Sequence, residues 1–307
     1  MNDSKSYMKV YLLITHAVCE GKKDETIRSR TMELGVSSLG YIIEYGLSSN
    51  YMNLNDLVLK ASEDCLIFAE KNKIEIVELV LDPTDVIKEE NKDKFIELVN
   101  SFSLKKQIHG PFIDVNLCTH NDIISNASVD SYLKTVKICE DLSVNLLTIH
   151  PGLANFLINS IRDYNKVQLA KSMQRLLNSM KSSDVRICLE NMPKNTHIML
   201  DENDIKKTFA IIDCKDLYLT YDTSHFYTCD GDINILWDYF NKIIKNVHLV
   251  DNFSKDSDTH PPLGTGKVNF PEIFEVMKNH EYQGPIIIEL STAKDLPQSI
   301  DFIYKFL

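Results

Sequence analysis

Residues 185–190 read VRICLE and residues 217–222 read LYLTYD. Each is an almost unbroken apolar run that ends on a carboxylate, Glu190 in the first and Asp222 in the second. Strict alternation would mark a strand with one wet face. A continuous run marks a strand covered on both faces, as in a parallel sheet wrapped by helices. Outward from this pair, runs of the same kind recur at Leu34–Leu39, Ile74–Leu81, Lys106–Pro111, Asn145–His150, Asn246–Val250 and Pro285–Leu290.

Helical periodicity fills the intervals. In Leu57–Lys71 the residues Leu57, Leu59, Ala61, Cys65, Phe68 and Ala69 share one broad face. Val129–Leu142 carries Tyr132, Val136, Ile138 and Leu142, and Pro271–Lys278 follows Asn269 as an N-cap. Strand–helix alternation repeated eight times predicts a (β/α)₈ barrel. An open doubly wound sheet fits less well, because no glycine-rich dinucleotide loop follows the first strand. Residues 32–307 approach the ~250 typical of such a barrel. Residues 1–31 then stand as a short N-terminal extension with a strand at Lys9–Thr15, or as an upstream start used in place of Met32.

The 307 residues are 44% hydrophobic and 25% charged, a globular composition with ample core. A net charge of −11 and only five arginines (Arg28, Arg30, Arg162, Arg175 and Arg186) give no help to phosphate-backbone binding. Bound metal ions would add positive charge outside that count. The seven cysteines include no CxxC pair, which suits reduced thiols in a cytosol. No apolar run approaches the ~20 residues of a membrane span, and Tyr11–Thr15 is too short for a signal-peptide core. The protein is expected to be cytoplasmic, with no membrane partner; the sequence leaves open whether copies form a homo-oligomer.

The chemistry gathers at strand ends. Strand three contains His109, while His150 ends strand four, Glu190 strand five and Asp222 strand six, with His225 three residues on. His248 lies in strand seven, Asp258 and His260 in the loop after it, and Glu289 at the end of strand eight. A parallel barrel turns all these ends toward one face. One buried histidine is usually a satisfied core residue. Nine titratable groups at matching strand ends are costly to bury without a cation, and imidazoles with carboxylates suit Zn²⁺ or Mn²⁺. Of the remaining residues, Asp251 is expected to hydrogen-bond a ligand imidazole, and Asn191 to orient Glu190 or touch substrate. Glu78 either lines the crevice or is structural. Gly264-Thr265-Gly266 reads as a tight turn rather than a phosphate cradle, Lys22, Lys23, Arg28 and Arg30 as a solvated face, and Arg162 as surface.

The segments IHGPF (108–112), TIHPG (148–152), CLENMP (188–193), YDTSHFYTCDGD (221–232), VHLVDN (247–252), DTHPPLGTGKVNF (258–270) and IIIEL (286–290) resemble the xylose-isomerase-like TIM-barrel superfamily. That group includes sugar and sugar-phosphate isomerases and epimerases, and endonuclease IV. The resemblance to endonuclease IV implies a multinuclear site of three zinc ions, held by His109, His150, Glu190, Asp222, His225, His248, Asp258, His260 and Glu289, and cleavage of abasic DNA; across the two branches of the family one to three divalent ions are expected. The segments GPFIDVNL, CLENMP and DTSH depart from the repair enzymes, and the loops lack the basic and aromatic interleaving of base flippers. The resemblance to the sugar enzymes is preferred. It implies a divalent metal on Glu190, Asp222, His248 and Glu289, a sugar or sugar-phosphate substrate, and an enediolate formed by Glu190 and Glu289 as catalytic acid and base. It also implies substrate contacts from His225, Asn191 and Lys255, the last standing where the epimerases carry an arginine. DNA is a partner only under the endonuclease reading.

Overall fold

The structure, a computed structural model, describes residues 32–48, 53–82, 86 and 88–307. The expected strand at Lys9–Thr15 and the basic cluster from Lys22 to Arg30 lie outside the described residues.

Eight parallel strands close on themselves in sequence order: β1 (Glu33–Ser37), β2 (Ile76–Val80), β3 (Lys105–His109), β4 (Leu146–Ile149), β5 (Arg186–Glu190), β6 (Leu217–Asp222), β7 (Ile244–Leu249) and β8 (Pro285–Ile288). The ring shuts where Gly35 of β1 pairs with Ile287 of β8. A Cβ on Gly35 would come 2.4 Å from the Ile287 side chain and 3.0 Å from the Ile76 carbonyl, so only glycine lets the strands approach there. This is a (β/α)₈ barrel, as the apolar runs predict.

The described helices are α1 (Leu39–Leu47), α2 (Leu54–Asn72), α3 (Glu89–Asn100), α4 (Asp122–Asp141), α5 (Arg162–Ser179), α6 (Glu202–Ile212), α7 (Thr223–Thr228), α8 (Ile233–Phe240), α9 (Phe270–Asn279) and α10 (Leu296–Ile303). Several of their starts are written in short polar side chains that satisfy free N–H groups. Asn53, Asn121, Asp201, Asp232 and Asn269 each accept from the first turn, and Pro271 sits within the first turn of α9. None of the described helices is long and apolar enough to cross a membrane, and the six described cysteines are all unpaired.

Aliphatic and aromatic side chains fill the space between strands and helices, with Trp237, Tyr132, Phe95, Phe270 and Phe274 fully buried. The barrel lumen is different. Gln107 of β3 donates to Glu78 of β2 (2.7 Å) and to Asn246 of β7 (3.0 Å), and Asn246 donates to Glu78 (3.1 Å) and Thr148 (3.1 Å). Thr148 in turn meets Thr220 at 2.9 Å. Strands β2 and β7 are not neighbours in the sheet, so these bonds cross the interior. Branched aliphatics usually fill that layer. Here it is a closed polar network directly beneath the strand ends.

Candidate metal centre

Strand alternation aims the alternate residues of a strand at the lumen. His109, Glu190 and Asp222 are the final residues of β3, β5 and β6, and His248 is the penultimate residue of β7. His150 and Glu289 follow β4 and β8 directly. Asp222 also caps α7, its Oδ1 accepting from the His225 N–H at 2.7 Å, which turns the chain so that His225 points back over the mouth. Asp258 is fixed by Ser224 Oγ at 2.7 Å, and His260 adopts a left-handed backbone with φ 45°.

All nine expected metal ligands converge. Glu190 is the hub: its Oε2 lies 2.8 Å from His150 Nε2 and 3.3 Å from His109 Nε2, and its Oε1 lies 2.8 Å from His248 Nδ1. Asp258 Oδ2 lies 3.1 Å from His225 Nε2 and 3.0 Å from His260 Nε2. Glu289 reaches His260 Nδ1 at 3.4 Å and His248 Nδ1 at 3.7 Å. Potential donor atoms fall within 4.8 Å of one another in four groups: His109/His150/Glu190, Glu190/Asp222/His225, His225/Asp258/His260 and Glu78/His248/Glu289.

Two imidazoles are already oriented for coordination. His109 donates Nδ1–H to the Gly110 carbonyl (2.8 Å) and His225 donates Nδ1–H to the Asn191 carbonyl (2.9 Å), which leaves each Nε2 facing carboxylates. The ring of Phe112 packs against His109 and His150, with centroids 5.4 and 5.1 Å away. Asp82, accepting from the Phe112 and Ile113 N–H groups at 2.8 Å each, holds that segment in place.

The electrostatics fit a cation. Burial would push Glu190 up, but His248 and the hydrogen bond from His109 hold it well below the usual carboxylate range. Burial raises Asp222 to about 7, with the charges of Glu190 and Asp258 adding to the effect against the opposing pull of His225. Burial drives His150 down to about 4, so it presents a neutral imidazole. Burial would also depress His109 and His260; carboxylates instead lift both to about 9, Glu190 acting on the first and Asp258 on the second. Protons thus fill the role a metal ion would take. Asp222 Oδ2 and His260 Nδ1 are buried without a hydrogen-bond partner, which a directly coordinated ion would relieve.

Other expectations need correction. Asp251 does not touch an imidazole. Its carboxylate accepts from the N–H groups of Asn252, Gly264, Gly266 and Val268 at 2.8–3.1 Å and so braces the loop before α9. The Gly264–Gly266 turn therefore wraps a carboxylate of its own chain. Asn191 neither orients Glu190 nor faces the open mouth: it is fully buried, and its amide bridges to the backbone N–H and C=O of Asp222. The imidazole-holding carboxylate is Glu78, whose Oε2 is hydrogen-bonded to His248 Nε2 at 3.2 Å. Gln107 and Asn246, two residues before His109 and His248, complete its setting. The strand period of two could have found them, since it puts them on the same face as those histidines.

Lys255 pairs with Asp230 and lies over the Tyr227 ring. It lines a pocket of about 260 Å³ beside Asp258, with Lys194, His197 and Thr228. Arg162 starts α5 and donates to the Asn155 carbonyl at 3.0 Å. The loops after β3, β4 and β7 expose Ile113, Leu153, Phe156, Leu157, Ile158 and Phe253 alongside polar groups such as Lys194, His197 and Lys255. A larger pocket of about 690 Å³, lined by Glu33, Lys105 and Arg186, opens at the strands' other end and holds none of the nine ligands.

An eight-stranded parallel barrel with imidazoles and carboxylates clustered at its C-terminal mouth defines the class: a (β/α)₈ barrel with a candidate metal centre where such barrels place their active sites. More particularly, the chain belongs to the xylose isomerase-like TIM barrel family, whose sequence profile matches residues 67–306. It is 25% identical over 283 residues to an uncharacterized protein of Methanocaldococcus jannaschii, covering 90% of this chain and 89% of that one. It is 27% identical over 247 residues to a probable endonuclease 4 of Thermotoga petrophila, covering 73% of this chain and 82% of the relative. Among solved structures, a D-tagatose 3-epimerase-like protein superposes with a TM-score of 0.74 at 22% identity, covering 90% of this chain and 97% of that one. That last likeness speaks for the fold.

Proposed function

We propose that the chain is a divalent-metal-dependent isomerase or epimerase of a sugar or sugar phosphate, with residues 32–307 as the catalytic unit. One observation carries the reading. Glu190 from β5 and Glu289 from β8 reach the same imidazole nitrogen, His248 Nδ1, at 2.8 and 3.7 Å, beside the fully buried Asp222. Two carboxylates entering one pocket from separate strands can serve opposite faces of a bound carbon. Epimerisation needs that, because the proton leaves one face and returns on the other.

Glu190, Asp222, His248 and Glu289 would hold the principal ion, Zn²⁺ or Mn²⁺. When bound, it supplies Lewis-acid stabilisation of the negative charge developing on a substrate oxygen. Glu190 and Glu289 take and return the proton at the carbon next to the carbonyl. His225 and Lys255 hold substrate hydroxyl or phosphate oxygens. The net charge of −11 and scarcity of arginine suit a small substrate better than a duplex polyanion.

A second reading, an endonuclease IV-like phosphodiesterase acting on abasic DNA, is favoured by the two other triads, His109/His150/Glu190 and His225/Asp258/His260. The experiments separate them. A panel of ketoses and ketose phosphates in D₂O, followed by mass spectrometry, should show deuterium uptake at one carbon. Failure of every member, together with chelator-sensitive nicking of an abasic duplex, would replace the isomerase reading with the hydrolase.

A further inference from the structure

We propose that Glu78 is a positioning residue for the metal centre: it keeps a proton on His248 Nε2 and so leaves Nδ1 to meet an ion held among Glu190, Asp222 and Glu289. The inference rests on the metal reading above. Glu78 lies in β2, is fully buried, and sits beneath the mouth rather than in it. His248 Nε2 is 3.0 Å from Glu78 Oε1 and 3.2 Å from Oε2, whereas Nδ1 is 2.8 Å from Glu190. Asn246 Nδ2 has three neighbours at 3.0–3.1 Å, namely Glu78 Oε2, Thr148 Oγ1 and His248 Nε2, for two hydrogens. The Asn246 amide hydrogens go to Glu78 and Thr148, so an Nε2–H goes to Glu78; an ion arriving at Nδ1 would displace the proton that a metal-free Nδ1 gives to Glu190, 2.8 Å away.

Glu78 Oε2 carries the hydrogen bonds, while Oε1 lies 3.0 Å from His248 Nε2 without a hydrogen-bond partner of its own. Glu78 Oε2 receives Gln107 at 2.7 Å and Asn246 at 3.1 Å. In Glu78→Gln the new carbonyl must take that place, which turns the amide nitrogen toward His248 Nε2. The imidazole proton is then forced to Nδ1, the atom that faces the ion. An almost isosteric change would thus spoil coordination without opening a cavity.

The test measures zinc affinity by chelator competition in the parent and in Glu78→Gln, with melting of both metal-free proteins. The expected result is a ~10–100-fold weaker affinity, as for other carboxylates supporting ligand imidazoles, with melting little changed. In ¹⁵N-histidine spectra of the zinc-loaded parent, His248 should show a protonated Nε2. Equal affinities overturn the assignment of Glu78 alone, as does a His248 Nε2 without a proton, which would make Glu78 and Nε2 ligands themselves. A parent that takes up no zinc overturns the metal reading and this one with it. If Glu78→Gln fails to fold, Gln107→Met, which removes one donor to Glu78, should show a smaller loss in the same direction; no loss there sinks the idea equally.

Discussion

His248 Nδ1 lies 2.8 Å from Glu190 Oε1 although the two residues belong to β7 and β5, which are separated in the sheet by β6. The contact crosses the mouth of the barrel. Glu190 meets His109 and His150 through its other oxygen, so one carboxylate ties together two halves of the site.

Glu190→Gln should therefore be the most damaging single change at the mouth. A loss of ~10²–10⁴-fold in kcat is expected for removal of an acid–base group. Steady-state kinetics on the sugar found by deuterium exchange would measure it. Full retention of kcat would remove Glu190 from the chemistry.

Metal removal should lower thermal stability. A ligand that binds only the folded chain contributes about 2.7 kcal/mol when present at a hundred times its dissociation constant. Melting followed through Trp237, the chain's single tryptophan and fully buried, should shift down after dialysis against chelator and recover with Zn²⁺ or Mn²⁺. An unchanged transition would argue against any tightly held ion.

Asp251→Ala should loosen the loop before α9 rather than alter a ligand. It strands four backbone N–H groups, at ~1–3 kcal/mol for such buried donors. Gly266→Ala attacks the same arrangement from the other side, because its Cβ would come 2.2 Å from Asp251 Oδ1. Both variants should gain a proteolytic cut between residues 253 and 267 while keeping the ion on Glu190, Asp222, His248 and Glu289, none of which lies in that loop. A selective loss of metal without loop opening would restore Asp251 to the coordination sphere.

The buried thiols give a pH prediction. Burial pushes Cys118 and Cys188 up to about 12 and Cys65 and Cys139 higher still. At pH 8 the native chain should leave these four unalkylated, since the thiolate is the reactive form. Because the folded values are raised, the stability they contribute is intact below the unfolded thiol pKa of about 8.5. It is lost as pH climbs toward about 12. Peptide mapping after iodoacetamide treatment, with and without denaturant, checks the first half, and urea unfolding followed from pH 8 upward checks the second.

The eight strands were legible because strands covered on both faces leave continuous apolar runs, and the Leu217–Asp222 limits match to the residue. Limits elsewhere moved: β7 begins at Ile244 rather than Asn246, next to a register shift between Leu219 and Thr220. Helices α3 and α5 left a fainter trace, because their segments EENKDKFIELVN and RDYNKVQLAKSMQRLLNS are mostly polar. The convergence of the nine expected ligands was legible from strand ends alone. What supports them was not. Asp251 and Asn191 were assigned to the site on proximity in sequence, yet backbone N–H groups from 264–268 claim the first and the Asp222 backbone claims the second. Such pairings are decided by how loops fold back, and no local pattern encodes that.

The donors arrive from β3 through β8 and the loops that follow them, beginning at His109 and ending at Glu289. A chain stopped after β5 would carry only the His109/His150/Glu190 group, whereas the groups that include Asp222, His248 and Glu289 need β6 to β8 as well. An ion held by those later residues would therefore require a finished barrel. An ion already seated would fasten early and late parts of the polypeptide to each other, so strand peeling and metal escape become one event seen from two sides.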